Sequence, residues 1–114
     1  YVITSATPGA ITLPVAQEGA YFKIITNIDC TGDVVLNTDG AASFLGAVTH
    51  LLNGANVETT INTGSNSTLT LAPGGGGTNS MRVGSMIEGY CDGGDWLLVA
   101  NIIAENAANS AAFS

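Results

Sequence analysis

Apolar and polar residues alternate along much of the chain with the period of two that is typical of β-strands. Residues 21–28 are a clear example, because aromatic and β-branched side chains are frequent there. Residues 96–103 form the most apolar run of the protein. Glycine, proline and Asp-Gly or Asn-Gly pairs separate such runs and indicate turns. The pattern predicts strands over residues 2–4, 10–13, 21–28, 34–37, 44–52, 57–61, 67–71, 81–91 and 96–103.

This succession of short strands predicts an all-β fold. We expect a single-domain antiparallel β-sandwich or jelly-roll-like barrel of about eight short strands. Residues 44–52 are also compatible with a helical turn, but Val48 and Thr49 are β-branched and favour a strand. The β domain is predicted to span residues 1–103. Residues 104–114 are mostly small and are predicted to form a C-terminal tail, frayed or docked on a neighbouring subunit.

Residues 81–103 are predicted to form one β-hairpin. In its first strand Val83, Ile87 and Cys91 fall on one face, and the other face carries polar and aromatic side chains. The turn is predicted at Asp92-Gly93-Gly94-Asp95, because glycine reaches positive φ without steric cost. A second turn is predicted at Asn53-Gly54, and the glycines that follow Pro73 are predicted to form a loop.

Charged residues make up only 10% of the chain, which carries a net charge of −7. Lys23 and Arg82 are its only basic residues besides the single histidine, too few to neutralise a nucleic-acid backbone. Anionic membrane surfaces are disfavoured for the same reason. With 46% hydrophobic residues and so few charges, the chain is expected to bury apolar surface in an oligomer or a larger assembly.

The two cysteines leave two possibilities open. Cys30 and Cys91 each follow a strand-like run and precede a turn, so they could meet and form a disulfide. The other possibility, which the scarcity of disulfides in cytosolic proteins favours, is two separate thiols that behave as small buried apolar groups.

No motif predicts a catalytic or metal site. His50 is the only histidine, and no Gly-x-Ser-x-Gly motif accompanies it, so a structural role is favoured over catalysis. Asp92 with Asp95, or Asp29 with Asp33, could bind calcium, but turn formation explains them more simply. Neither a cofactor nor a bound metal is expected. The aromatic residues Tyr1, Tyr21, Tyr90 and Trp96 could stack on a sugar, although Trp96 fits the core better.

Several motifs together resemble virion structural proteins of tailed bacteriophages. These motifs are residues 11–14 (ITLP), 18–22 (EGAYF), 32–37 (GDVVLN), 44–46 (FLG) and 89–99 (GYCDGGDWLLV). The class includes small capsid decoration (cement) proteins and β-rich modules of tail fibres. The resemblance covers most of residues 9–101 and implies a β module without enzymatic activity that is usually trimeric.

The resemblance implies a function as a capsid decoration protein on the outside of a phage head. The expected partners are further copies of the chain in a homotrimer and the major capsid protein, with neither nucleic acid nor membrane. The expected location is the capsid surface, after synthesis in the host cytoplasm. An alternative is a tail-fibre or receptor-binding module that recognises a surface carbohydrate through Tyr21, Tyr90 or Trp96.

The interface is predicted on the arm 2–4, the tail 104–114 and one face of residues 96–103. Strand 96–103 is apolar on both faces, and a face not needed for the core is available to a partner. The candidate interface residues are Val2, Ile3, Trp96, Leu98, Ile102 and Phe113.

Overall fold

The alternating segments fold as strands, and the predicted all-β class is confirmed. The computed structural model describes residues 1–52, 58–73, 79–104 and 109–114. The predicted turn at Asn53-Gly54 and the glycines at 74–77 lie outside the described residues. No helix occurs within the described ranges, whose strands are β1 (Val2–Ile3), β2 (Ile11–Thr12), β3 (Tyr21–Thr26), β4 (Val34–Asn37), β5 (Phe44–Leu52), β6 (Glu58–Asn62), β7 (Thr68–Ala72), β8 (Met86–Cys91), β9 (Trp96–Ala104) and β10 (Ser110–Phe113).

The strands form two sheets that share one hydrophobic core. The larger sheet has the order β1-β3-β8-β9-β5-β6, and the smaller has the order β10-β7-β4-β2. Alternate residues of each strand point inward, as the period of two requires. The two inner faces therefore pack as a β-sandwich. Its fully buried side chains include Ile24, Leu36, Phe44, Leu69, Leu71, Ile87, Trp96, Leu98 and Ile102.

The sheets are mixed, which corrects the expected antiparallel arrangement. β8 and β9 pair antiparallel through the predicted turn at Asp92-Gly93-Gly94-Asp95, but β9 also pairs parallel with β5 over its whole length. β1 with β3 and β2 with β4 are parallel as well. Local alternation predicts neighbouring strands joined by tight turns, whereas parallel partners are distant in sequence and leave no local signal.

The first strand of the predicted 81–103 hairpin is shorter than expected. β8 begins at Met86, because residues 82–85 make a turn in which the Ser85 amide donates to the Arg82 carbonyl over 3.0 Å and Gly84 has φ 99°. Val83 is consequently exposed instead of lying inward. Ile87 and Cys91 are buried, as the alternation predicts.

The chain end belongs to the smaller sheet of the same molecule. β10 pairs antiparallel with β7 from Ser110 opposite Ala72 to Phe113 opposite Leu69. The backbone amide of Ser114 donates to Thr68, and its carbonyl accepts from the amides of Ser67 and Thr68. Residues 110–113 are thus a strand of the domain, which corrects the predicted C-terminal tail. Small residues suit this edge strand as well as they suit a tail, so composition did not separate the two.

Both cysteines are free and buried, so the disulfide alternative is not realised. Cys30 forms an isolated bridge with Met81, and its Sγ lies 3.7 Å from the Thr26 hydroxyl. Burial raises the pKa of the Cys30 thiol, and the Thr26 contact opposes that shift. Cys91 ends β8 opposite Trp96. The two thiols therefore act as core residues.

Candidate interaction surface

The outward side of the larger sheet is an apolar surface, here called the outer face. The register brings alternate residues of all six strands onto this side. Tyr21 lies opposite Tyr90, Tyr90 opposite Leu97, and Leu97 opposite Leu45. Most of these side chains are apolar and partly or largely exposed. The outer face consists of Val2, Tyr21, Lys23, Ile25, Leu45, Ala47, Thr49, Leu51, Thr59, Ile61, Met86, Glu88, Tyr90, Leu97, Val99, Asn101 and Ile103.

The outward side of the smaller sheet has a different chemistry and is here called the polar face. Its central pair is Asn37 and Thr68, where the Thr68 hydroxyl donates to the Asn37 side-chain oxygen over 2.9 Å. The remaining residues are mostly small or polar. A soluble β-sandwich needs only one apolar side on each sheet, so the exposed apolar side of the larger sheet requires a separate explanation. The polar face consists of Thr12, Val35, Asn37, Thr68, Thr70, Ala72, Ser110 and Ala112.

Four side chains form the polar centre of one half of the outer face. The Tyr21 and Tyr90 rings are 4.9 Å apart between centroids and tilted by 44°. The Tyr21 hydroxyl donates to Glu88 Oε2 over 3.3 Å. Partial desolvation, followed by the hydrogen bond to the Glu88 carboxylate, raises the pKa of Tyr21. Lys23 lies directly opposite Glu88 in the β3/β8 register and is exposed.

Four of the six predicted interface residues lie in the core, and this corrects their assignment. Ile3, Trp96, Leu98 and Ile102 are each at most 2% exposed. Trp96, Leu98 and Ile102 share the inward side of β9, because Trp96 pairs with Cys91, whose side chain is also inward. An apolar pattern on both faces of residues 96–103 cannot tell which face is inside, and the outward set is Leu97, Val99, Asn101 and Ile103.

The other two predicted residues have different positions. Val2 is exposed at the β1 edge of the outer face, opposite Ile25, so it remains an interface candidate. Phe113 is partly buried and packs against the core, with its ring centroid 6.4 Å from that of Phe44. Phe113 therefore closes the β10 side of the core and is not presented to a partner.

The prediction missed most of the outer face. Leu51, Ile61, Leu97 and Val99 are at least 40% exposed, although their residue types are common in cores. The signal that identifies Leu97 and Val99 lies on the neighbouring strand β8. Glu88 and Tyr90 are the polar side of that strand, and the antiparallel register places Leu97 and Val99 on the same side.

Other candidate sites have little supporting geometry. His50 is buried on the inner side of β5, opposite Ile102. A cleft of about 420 Å³ lies between the β2 segment and β3, with Tyr1, Leu13 and Lys23 among its lining residues.

Within the described residues, no three His, Cys, Asp or Glu side chains are grouped as metal ligands would be. The described part of the chain contains no helix long and apolar enough to cross a membrane.

Comparison of the chain with family models, with curated proteins and with solved structures found no match. The resemblance to phage virion proteins therefore rests on the sequence motifs described above.

Proposed function

We propose that this protein is a non-enzymatic structural protein of a bacteriophage virion. It acts as a capsid decoration protein that self-associates, with a homotrimer as the expected assembly, and bridges major capsid proteins on the outside of the head. The observation that carries the proposal is the outer face, which extends across all six strands of the larger sheet. An exposed apolar area of this extent is typical of a protein–protein interface.

The proposed mechanism is the bridging of shell subunits by non-covalent contacts, without a chemical reaction. A decoration protein stabilises a shell when its binding energy adds to that between the shell subunits, and apolar contacts supply this energy without precise chemistry. Leu97, Val99 and Ile61 are suited to such contacts, because each loses exposed apolar area when covered. The low charge content of the chain limits the desolvation cost of covering them.

The proposal is tested on the virus particles whose genome encodes the chain. Cryo-electron microscopy of these particles is expected to show a sandwich of this shape on the outside of the head. In parallel, purified heads that lack the protein are mixed with the purified chain and sedimented. The chain is expected to co-sediment, and Val99→Asp on the outer face is expected to reduce binding at least about tenfold. Thr70→Asp on the polar face is the matched control.

The proposal fails if the chain is absent from the particle, or if it neither self-associates nor binds heads. Density on the tail alone would contradict the capsid assignment and favour a tail-fibre module.

A carbohydrate-binding function is the second candidate. It is supported by the exposed Tyr21 and Tyr90 rings, by the hydrogen-bonding group of Glu88 beside them, and by the cleft that Tyr21 also lines. Trp96 drops out of this candidate site because it is fully buried. The 44° tilt between the two rings means that they do not form one flat platform, which ranks this function second.

A glycan array distinguishes the two functions. Under the carbohydrate hypothesis the chain binds a defined glycan, and Tyr90→Ala abolishes binding while Val99→Ala does not. Absence of glycan binding together with head binding supports the decoration function.

A further inference from the structure

The chain is strongly acidic, but the outer face is not. The charged side chains of the outer face are Lys23 and Glu88, whose charges cancel. The whole chain, in contrast, carries a net charge of −7. The aspartates Asp29, Asp39 and Asp92 lie in turns outside the sheet strands. Copies that met through the acidic turns would repel each other. The outer face is a surface on which two copies can approach without this repulsion.

The ammonium group of Lys23 is not part of an ion pair among the described residues. The other basic side chain, Arg82, is already placed with its Nε 3.7 Å from Asp29 Oδ2. Lys23 has no carboxylate within 4.0 Å among the described residues, although Glu88 is its cross-strand neighbour. Glu88 accepts a hydrogen bond from Tyr21 instead. A polar pair in an apolar surface is costly to cover unless the partner supplies opposite charges at matching positions.

The position of Lys23 and Glu88 decides which part of the outer face a second copy can cover. The two residues lie opposite each other on β3 and β8, so a two-fold axis that brings Lys23 of each copy to Glu88 of the other runs along the strands between β3 and β8. This axis places β3 over β8 and β1 over β9 of the other copy, and it leaves β5 and β6 uncovered. The covered strands give roughly 350 Å² on each copy, or roughly 700 Å² in total, which is the size of a weak, reversible contact.

We propose that the part of the outer face formed by β1, β3, β8 and β9 is covered by a second copy of this chain, with Lys23 of each copy against Glu88 of the other. This inference rests on the proposed function, because it names the surface through which the decoration protein self-associates, as a two-fold dimer instead of the expected homotrimer. The two polar faces then remain in solvent, and the acidic turns stay at the periphery. The apolar residues Val2, Ile25, Leu97 and Val99 supply the buried area.

The test uses two single charge reversals and their mixture. Lys23→Glu gives an outer face with two acidic groups, and Glu88→Lys gives one with two basic groups. Each variant alone is expected to self-associate at least about tenfold more weakly than the unaltered chain, since like charges then face each other. An equimolar mixture is expected to recover association in mixed assemblies. Sedimentation equilibrium measures both, and Thr70→Glu on the polar face is the control.

Recovery in the mixture identifies a contact between copies, because a change within one chain cannot be rescued by another chain. Circular dichroism of each single variant verifies that the fold persists. If a charge reversal disturbs folding, Val99→Asp replaces it and is expected to give monomers.

Self-association of both single variants at the strength of the unaltered chain would overturn the inference, as would weakened association that the mixture does not restore. If the unaltered chain is monomeric but binds heads, and Val99→Asp prevents that binding, the capsid covers the outer face. In that case the inference fails and the proposed function stands. If the chain neither self-associates nor binds heads, both fail.

Discussion

Gly46 lies directly opposite Leu98 in the parallel pairing of β5 with β9, and a Cβ at Gly46 would be 1.9 Å from the Leu98 carbonyl oxygen. Gly46 also has φ 138°, a backbone conformation that side-chain-bearing residues rarely adopt. The close approach occurs in the longest strand pairing of the larger sheet. Glycine is therefore required where β5 and β9 meet.

Gly46→Ala is predicted to destabilise the fold by about 2–5 kcal/mol, because backbone strain and a backbone clash add together. The free energy of unfolding in urea measures the loss. Gly9→Ala is the matched control, since a Cβ there meets nothing within 4 Å. An unchanged unfolding midpoint for Gly46→Ala would contradict the proposed β5/β9 pairing.

Trp96 and Leu97 are neighbours with opposite environments, and their substitutions are predicted to separate stability from association. Trp96 is fully buried and packs edge-on against Phe22, with 5.3 Å between ring centroids. Trp96→Ala is expected to cost about 3–5 kcal/mol. Leu97→Ala, on the exposed outer face, is expected to change the unfolding free energy by only about 0.5 kcal/mol.

Trp96→Phe lies between the unaltered chain and Trp96→Ala, because it keeps an aromatic ring but removes the indole N–H. Trp96 Nε1 is buried and has no hydrogen-bond acceptor among the described residues. Phenylalanine removes this unsatisfied donor, so Trp96→Phe is expected to cost clearly less than Trp96→Ala. Equal losses for the two variants would show that the volume and the aromatic contact with Phe22 do not determine the effect. Chemical denaturation at one fixed protein concentration compares all three variants.

Local sequence patterns predicted the strands other than β10 but were insufficient to predict their partners. β3, β4 and β9 appear close to their expected positions, because each is a run rich in strand-forming residues that follows a turn signal. The pairing of β5 with β9 joins residues far apart in sequence, so only the folded chain defines it. The larger sheet is mixed because β9 pairs parallel with β5 and antiparallel with β8.

The interface residues could be predicted only in part, because the sequence does not show which face of residues 96–103 lies in the core. Residues 96–103 are apolar on both faces, so their sequence is equally consistent with a Trp96 side chain that points into the core and one that points outward. The side of the sheet is decided by β8, where Glu88 and Tyr90 oppose Val99 and Leu97. The outer face as a whole depends on the order of six strands, which no single segment encodes.

The cysteines are predicted to be unreactive in the native protein. Cys30 and Cys91 are buried, and burial raises the pKa of the Cys30 thiol, so little thiolate is exposed at neutral pH. A thiol reagent is expected to label neither residue in the native state and both in denaturant. Treatment with a reductant is expected to leave the thermal midpoint unchanged. Rapid labelling of the native chain would contradict the burial of these side chains.

Asp92 and Asp39 are predicted to make the fold sensitive to acid. The Asp92 carboxylate accepts hydrogen bonds from the backbone amides of Asp95 and Gly94, at 2.7 and 2.9 Å, and these bonds lower its pKa. The amides of Ala42 and Ala41 lower the pKa of Asp39 in the same way. Both groups therefore stabilise the fold above the unfolded pKa of about 3.9, and this contribution is lost as pH falls through the lower folded pKa.

Asp92→Asn tests the sign of this effect, because the amide keeps the shape of the side chain without its charge. The thermal midpoint of the unaltered chain is expected to exceed that of the variant between about pH 5 and 7, where the carboxylate is ionised. The difference is expected to shrink as pH falls below about 3.9, since the protonated carboxyl then resembles the amide. Asp33→Asn, which removes the same charge elsewhere, is the control for net charge. A difference that stays constant from neutral to acid pH would mean that the ionised carboxylate does not stabilise the β8/β9 turn.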